Sequence, residues 1–413
     1  MTSLPWRDAG AALARVPAGA HLVSLPGMGA PTTVLGALAG ASAGRGWTLS
    51  TGLLLDEYPF LPAVEAGELG YRTWHVAGPV ADLVADGRVG FVPARASAVP
   101  DLLRHWGVDV ALVRVSPPDA GGLCSLGPSV SYAKAAMDAA AMVIAEIDPA
   151  VPRTCGDSLI RVSAFDSVVE SATPIPEYRT APDAELSRRI AEHVLNLVPR
   201  NPALQIGLGT IPESLLRSLP DADLGRIRFI GMGTDLMVDL FDKGVLSLGD
   251  VVPWPAVLSG ELMGTSRLLE FAHQNPAIGM APSSVIHNPC HLAGIDRFVS
   301  IITALQIDLA GNVNAEVLRG RQISGPGGGP DFVDGAARSP GGLRIVALPS
   351  SSSDGRHSRI VSRVEAVTVP GTMIDAVVTE HGVARLAGLT GRQRAEALIA
   401  LAAPAHRDPL AAA

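Results

Sequence analysis

The chain has 413 residues, a formal net charge of −8, and 47% apolar against 17% charged side chains. This composition is typical of two or three folded domains and excludes a largely disordered chain. No uninterrupted apolar run approaches the roughly 20 residues that span a bilayer, and no dense basic cluster suggests a nucleic-acid surface. We therefore expect a protein that engages neither a membrane nor a nucleic acid.

Short apolar runs that are typical of strands alternate with helical patterns along the whole chain. Such alternation predicts the α/β class, with open and mostly parallel sheets. Glycine and proline concentrate at the ends of these runs, where turns are expected. The clearest predicted strands are His21–Leu25, Val108–Val115, Ala141–Ile147, Leu204–Gly209, Arg226–Gly231 and Leu343–Leu348.

Residues 172–183 give the best domain boundary, because Pro174, Pro176 and Pro182 interrupt any regular element there. An amphipathic helix is predicted next, with one apolar face that carries Leu186, Ile190, Val194, Leu197 and Val198. We therefore predict an N-terminal domain over residues 1–180 and a C-terminal domain over residues 181–413, two similar α/β domains that face each other across a cleft.

The N-terminal residues and the cysteines indicate the cellular compartment of the protein. Arg7, Asp8 and Arg15 interrupt any apolar stretch of a secretion signal. The three cysteines, at positions 124, 155 and 290, match no disulfide or metal spacing. These observations favour a reducing cytoplasm.

The first segment that suits chemistry is a strand that ends at Gly207 and leads through Gly209 into a helix near Pro212. Free backbone N–H groups at such a helix start would suit an oxyanion, a carboxylate or a phosphate. A plain structural turn is the alternative, since glycine turns join strands to helices in any α/β protein. The third glycine of a dinucleotide-binding fingerprint is absent.

A second strand leads through Gly231 and Gly233 towards another helix, where Asp235 is a candidate catalytic carboxylate. The alternative is that Thr234 or Asp235 caps that helix. A third segment contains three consecutive glycines, Gly327–Gly329, whose missing side chains would let backbone approach a ligand closely. This three-glycine segment is interpreted either as a ligand-binding loop or as a plain connecting loop.

A fourth segment, residues 347–360, combines serines with Arg356 and Arg359 and suits a phosphate, although an exposed polar loop would look similar. His287, Cys290 and His291 suggest a metal site or a thiol nucleophile, but Pro289 disfavours a regular helix and no second ligand pair lies near. We therefore predict no metal.

Taken together, these segments resemble the acetyl-CoA hydrolase and 4-hydroxybutyrate CoA-transferase family from about Val92 to Arg407. The order and spacing of several motifs carry the resemblance. They are Val113–Asp119, Gly156–Ser158, Gly207–Pro212, Asp239–Gly244, Phe298–Ser300, Ala304–Leu309, Gly311–Ala315, Gly335–Ser339 and Val378–Val383. The resemblance implies CoA as a substrate, an acyl-CoA and a carboxylic acid or other acceptor as partners, and a homodimer or homotetramer.

In the family, a glutamate attacks the thioester and a glutamyl-CoA intermediate forms. Aligning this chain on Asp239–Gly244 without gaps puts Gly231 at that glutamate and Met232 at the methionine after it. Gly329 and Pro330 likewise replace the family's Gln and the residue after it. The resemblance implies an oxyanion loop at Gly207 and Gly209. It also implies that the substrate contacts Thr210, Ile211, Pro212, Met232, Gly233, Gly325, Gly327, Gly328, Gly329, Asp331, Phe332, Ser350, Ser351 and Arg359.

Three functions remain open from the sequence. The first is acyl transfer or thioester hydrolysis without the glutamyl intermediate. The second is a conventional CoA-transferase in which Asp235 or Glu261 replaces the lost carboxylate. The third is a non-catalytic protein that binds CoA esters.

Overall fold

The computed structural model describes residues 4–55, 58–247 and 255–412. Two compact units are defined by their internal contacts. The first contains Met1–Arg179, Gly233–Asp235 and Asp250–Ile286, and the second contains Thr180–Met232, Leu236–Gly249 and His287–Ala413. Because these units are not continuous in sequence, they do not test a division at residue 180, which stays a prediction.

The described strands alternate with helices through both units, as the sequence predicts. In chain order they are β1 (His21–Ser24), β2 (Thr48–Thr51), β3 (Gly70–Thr73), β4 (Gly90–Phe91), β5 (Val110–Val115), β6 (Leu123–Ser125), β7 (Met142–Ile147), β8 (Cys155–Gly156), β9 (Leu159–Arg161), β10 (Ser167–Glu170), β11 (Ala203–Ile206), β12 (Arg228–Thr234), β13 (Val257–Met263), β14 (Ile278–Met280), β15 (Phe298–Thr303), β16 (Gln306–Asp308), β17 (Val313–Asn314), β18 (Val317–Leu318), β19 (Arg321–Gln322), β20 (Leu343–Ala347), β21 (Ile360–Val361), β22 (Ala376–Thr379) and β23 (Gly382–Arg385).

The helices range from single turns to three turns. They are α1 (Ala9–Ala14), α2 (Thr32–Ala41), α3 (Leu61–Glu65), α4 (Ala81–Ala85), α5 (Val99–Trp106), α6 (Ala133–Ala139), α7 (Glu185–Leu195), α8 (Thr210–Ser218), α9 (Asp235–Asp242), α10 (Ser266–Ala272), α11 (Ser283–Ile286), α12 (Pro289–Ala293), α13 (Gly329–Arg338), α14 (Gly391–Leu401) and α15 (Pro404–Ala411). Among the described residues, no helix is both long and apolar enough to cross a membrane.

The first unit is built on a seven-stranded sheet in the order β10-β7-β5-β1-β2-β3-β4, and every described pairing in it is parallel. The inner strand β5 is buried along its whole length, which explains why all of its side chains except that of Arg114 are apolar. Three further parallel strands of this unit lie in the order β13-β14-β8. The prediction of an α/β protein with largely parallel sheets is confirmed.

A buried ionic network fixes the carboxyl end of β5 in the first unit. Arg114 is fully buried and donates to the Asp148 carboxylate from Nε and Nη2, at 2.9 and 2.5 Å. Its Nη2 also lies 3.7 Å from Oε1 of Glu146 and donates to the carbonyl oxygen of Thr173. Burial raises the pKa of Glu146, while the Arg114 charge opposes that rise.

The second unit contains a sheet in the order β23-β22-β20-β15-β11-β12, which is parallel except for the edge pair β22 and β23. Helix α7 confirms the predicted amphipathic helix, with Ile190, Ala191 and Val194 buried. The sequence places Leu186 on the apolar face, but its side chain is 41% exposed. The apolar side chains of the later turns, Ile190 and Val194, are buried.

Candidate functional site

The predicted oxyanion loop joins β11 to α8 in the second unit. Gly209 occupies the N-cap position with φ +112°, and no side chain caps the helix. A Cβ atom built on Gly207 or Gly209 would meet nothing within 4 Å, so the loop borders open space. Backbone N–H groups at the start of α8 therefore carry the positive end of the helix dipole with no side chain in front of them.

The side chains after this loop differ in what they offer a ligand. Thr210 is exposed, whereas Ile211 and Pro212 are buried within the core. A ligand at the loop would therefore contact the backbone and Thr210, while Ile211 and Pro212 anchor the helix.

Gly231 lies inside β12, which continues to Thr234, although the sequence predicts that the strand ends at this glycine. Its φ of +126° is a conformation that residues with side chains rarely adopt. A Cβ here would lie 3.6 Å from Cγ of Gln205 and 3.7 Å from Cζ of Phe332. Since β11 and β12 are parallel and Leu204 pairs with Phe229, the same register brings Gly231 level with Ile206, one residue before Gly207.

Residues 232–235, which follow Gly231, differ in their burial and contacts. Met232 is half-buried. Gly233 and Asp235 belong to the first unit, where a Cβ on Gly233 would lie 2.6 Å from Cδ2 of Leu262. The Asp235 carboxylate accepts hydrogen bonds from the backbone N–H of Thr265, at 3.2 and 3.1 Å, and from its hydroxyl. Asp235 therefore fixes the segment before α10.

The three-glycine segment opens α13, with Gly328 at the N-cap and Gly329 and Pro330 in the first turn. No side chain caps this helix, and Asp331 and Phe332 are buried in its first turn. Helix α13 packs on β15 and β20 and leads into β20, so it runs opposite to the parallel strands. Its N-terminus therefore lies at the carboxyl edge of the sheet, where α/β proteins commonly bind ligands.

Two further glycines, Gly325 and Gly327, precede the helix. Gly327 has φ +54° and open space where a Cβ would stand. This backbone conformation explains the glycine at position 327.

A histidine that the sequence suggested only as a metal ligand packs against this helix start. The ring centroids of His287 and Phe332 are 5.0 Å apart. A Cβ on Gly328 would fall 2.5 Å from Cδ2 and 2.6 Å from Nε2 of His287, so glycine is required for the ring to fit. Burial lowers the pKa of His287 to about 4, and its buried Nδ1 has no hydrogen-bond partner.

The fourth predicted segment borders a cavity of about 470 Å³ in the second unit. Ser350 does not reach it, because its N–H and hydroxyl both donate to the Glu380 carboxylate, at 2.9 and 2.6 Å. Ser351 also lies outside the lining, whereas Arg359 lines the cavity and is held by the carbonyl oxygens of Leu305 and Ser351. The other polar lining side chains are those of Gln306, Arg319, Ser352, Arg356, His357, Ser358, Ser362 and His406.

Glu261 is a buried carboxyl group on β13 in the first unit. Both of its oxygens are buried and make no hydrogen bond of acceptable geometry. Burial raises its pKa to about 8, and the nearby hydroxyls of Ser131 and Ser129 offset the burial only in part. Glu261 is therefore mostly protonated at neutral pH.

The described residues contain no group of three or more His, Cys, Asp or Glu side chains that could hold a metal ion. Comparison with protein-family models matches residues 55–176 to the acetyl-CoA hydrolase/transferase N-terminal domain and residues 264–413 to the acetyl-CoA hydrolase/transferase C-terminal domain. The chain belongs to the acetyl-CoA hydrolase/transferase family. The match confirms the resemblance inferred from the motifs between Val92 and Arg407.

Individual members of this family are similar over most of the chain. A 4-hydroxybutyrate coenzyme A transferase of Clostridium kluyveri is 38% identical over 341 residues, which is 81% of this chain and 79% of that protein. The crystal structure of RipA from Yersinia pestis superimposes with a TM-score of 0.90 at 29% identity, covering 99% of this chain and 96% of RipA. A 4-hydroxybutyrate CoA-transferase from Porphyromonas gingivalis gives a TM-score of 0.79 at 30% identity, with 99% and 96% covered.

The structure brings three of the predicted residues together. A Cβ on Gly231 or on Gly328 would lie 3.7 or 2.9 Å from the ring of Phe332. From the sequence, His287 is considered only as a metal ligand, because it lies close to a second histidine and a cysteine. Its packing on Phe332 depends on a contact between segments 45 residues apart in the chain.

Proposed function

We propose that this protein binds an acyl-CoA and transfers the acyl group to water or another acceptor without a glutamyl-CoA intermediate. The observation that carries the proposal is Gly231, which supplies no nucleophile at the position where we infer the family's glutamate. Its φ of +126° suits glycine, so the local backbone is adapted to the missing side chain. Without a carboxylate there, the acceptor itself must attack the thioester.

The loop at Gly207 and Gly209 would hold the reacting carbonyl group. In direct attack by water, its oxygen bonds to the carbonyl carbon and negative charge develops on the carbonyl oxygen. Backbone N–H groups at the start of α8 would stabilise that charge, because they are fixed before the reaction begins. The C–S bond then breaks, and CoA leaves as its thiolate.

The cavity beside Arg359 suits the phosphates of CoA. Arg319, Arg356 and Arg359 line the cavity, which has no acidic side chain in its lining, and Arg356 is paired with Asp354 just outside it. Arginine binds phosphate through paired N–H donors, and the carbonyl oxygens that hold Arg359 fix its orientation. We expect no metal cofactor and a cytoplasmic homodimer or homotetramer.

The proposal is tested by supplying acyl-CoA esters and measuring free thiol, with and without a carboxylic acid acceptor. Thiol release in H₂¹⁸O should place the label in the product acid, and borohydride should trap no CoA adduct on the protein. Binding of CoA in calorimetry without any thiol release or acyl transfer would instead show a non-catalytic binding protein. An adduct trapped on a carboxylate would contradict the proposal and favour the conventional transferase.

One observation favours a second candidate, a conventional CoA-transferase that uses Glu261. Its carboxyl group is buried and only weakly held by the hydroxyls of Ser131 and Ser129, whereas Asp235 is held by Thr265. A pKa of about 8 leaves only a minor fraction ionised at pH 7, which makes Glu261 a poor nucleophile there. This candidate therefore predicts transfer to a second acid that strengthens above pH 7 and disappears in Glu261→Gln.

A further inference from the structure

We propose that His287 is the general base that activates the attacking water, in the place left by the missing glutamate. This inference rests on the proposed function and adds a catalytic residue to it. The cap of the neighbouring helix does not involve His287. Asn288 caps α12, since its side chain accepts hydrogen bonds from the backbone N–H groups of Cys290 and His291, at 3.0 and 3.4 Å.

The position of the imidazole is fixed by packing. Its ring contacts Phe332 at a centroid distance of 5.0 Å and lies against the backbone of Gly328 so closely that no other residue fits at 328. Phe332 is also the side chain that a Cβ at Gly231 would touch, at 3.7 Å. One aromatic ring therefore contacts both the histidine and the position of the absent nucleophile.

The ring is in the protonation state that can accept a proton, although its lowered pKa makes it a weaker base than a free imidazole. Burial lowers the pKa of His287, so the imidazole is neutral at pH 7 and one ring nitrogen has a free lone pair. Nδ1 is buried and has no partner, which leaves Nε2, beside Gly328, to act on a ligand.

The proposed step balances as a hydrolysis. Water attacks the thioester carbonyl carbon while one of its protons passes to Nε2 of His287. The C–S bond breaks, CoA departs as a thiolate, and the imidazolium returns the proton to the sulfur. The products are one carboxylic acid and one CoA thiol, and no oxidant, reductant or metal is needed.

The test compares His287→Gln and His287→Ala with the wild type and with His105→Gln, which changes an exposed histidine of α5. Thiol release should fall by about 10²- to 10⁴-fold in both His287 variants, while the control retains activity. Added imidazole should restore part of the activity of His287→Ala alone. CoA affinity by calorimetry and the melting temperature show whether each variant is folded.

The outcomes separate this inference from the proposed function. If the wild type releases no thiol and transfers no acyl group, the proposed function is wrong and the base has no reaction to serve. If the wild type is active and a folded His287 variant loses no more activity than His105→Gln, only the role of His287 is overturned. A fall in activity of His287→Gln with unchanged CoA affinity supports the base.

Discussion

Replacing Glu261 with Gln should make the protein more stable at neutral pH than the wild type, by an amount that grows with pH. The wild-type carboxyl has a folded-state pKa of about 8 because burial disfavours its charged form, whereas an unfolded glutamate titrates near its ordinary value of 4.5. Between these two values the folded state binds more protons than the unfolded state. Stability is therefore present below pH 4.5 and is lost as the pH rises towards 8.

The magnitude follows from the linkage between proton binding and folding. Each pH unit inside the window costs about 1.4 kcal/mol, so the wild type should lose about 2.5 kcal/mol between pH 5 and pH 7 through this group. Glutamine has nearly the same shape as the protonated side chain and does not titrate. The difference between variant and wild type should therefore be small at pH 5 and about 2.5 kcal/mol larger at pH 7.

The assay is thermal unfolding of both proteins from pH 5 to pH 8, followed by a signal from the first unit. For a unit of this size the expected stabilisation at pH 7 corresponds to a melting temperature about 5 to 10 °C higher. Glu270→Gln, which changes an exposed glutamate on α10 of the same unit, is the control. A pH-independent difference for Glu261→Gln would refute the reasoning, because it would mean that the carboxyl is not buried in its neutral form.

Three other changes test the packing and the CoA site. Arg114→Met should lower the free energy of unfolding by about 3 to 5 kcal/mol, measured by denaturant titration, because it leaves two acidic side chains buried without their partner. Gly328→Ala should reduce thiol release by displacing the ring of His287, whereas Gly36→Ala on α2, where a Cβ would meet nothing within 4 Å, should have little effect. Arg359→Met should raise KM for acyl-CoA more than it lowers kcat. It should not change KM for an acyl-pantetheine that lacks the CoA phosphates. Equal effects on both substrates would contradict the assignment of this cavity to the phosphates.

Much of the scaffold could be predicted because its signals are local. The buried strand β5 is recognisable from its apolar run, and the loop before α8 from its glycines and Pro212. The predictions weakened where burial depends on a distant segment. Leu186 fits the apolar periodicity of α7, yet its exposure is decided by what packs on that turn.

The candidate site is also hard to predict where its residues depend on contacts with distant segments of the chain. Ser350 fits a phosphate-binding loop by composition, but Glu380, 30 residues later, takes both of its donors. His287 becomes interesting only when Phe332 and Gly328 are seen against it. A single sequence contains the residues of such a cluster but does not show which of them are in contact.

In the proposed function, Gly231 stands where the family has its attacking glutamate. If only that side chain had been exchanged in an otherwise unchanged site, residue 231 would keep an extended conformation that any residue can adopt. Its φ of +126° instead belongs to glycine, and a side chain there would cost about 1 to 3 kcal/mol of strain. Gly231→Glu is therefore not a simple reversal, and its failure to restore CoA transfer would not show that the remaining site is inactive. The informative substitutions are those at His287 and Glu261, two buried ionisable side chains with unpaired polar atoms.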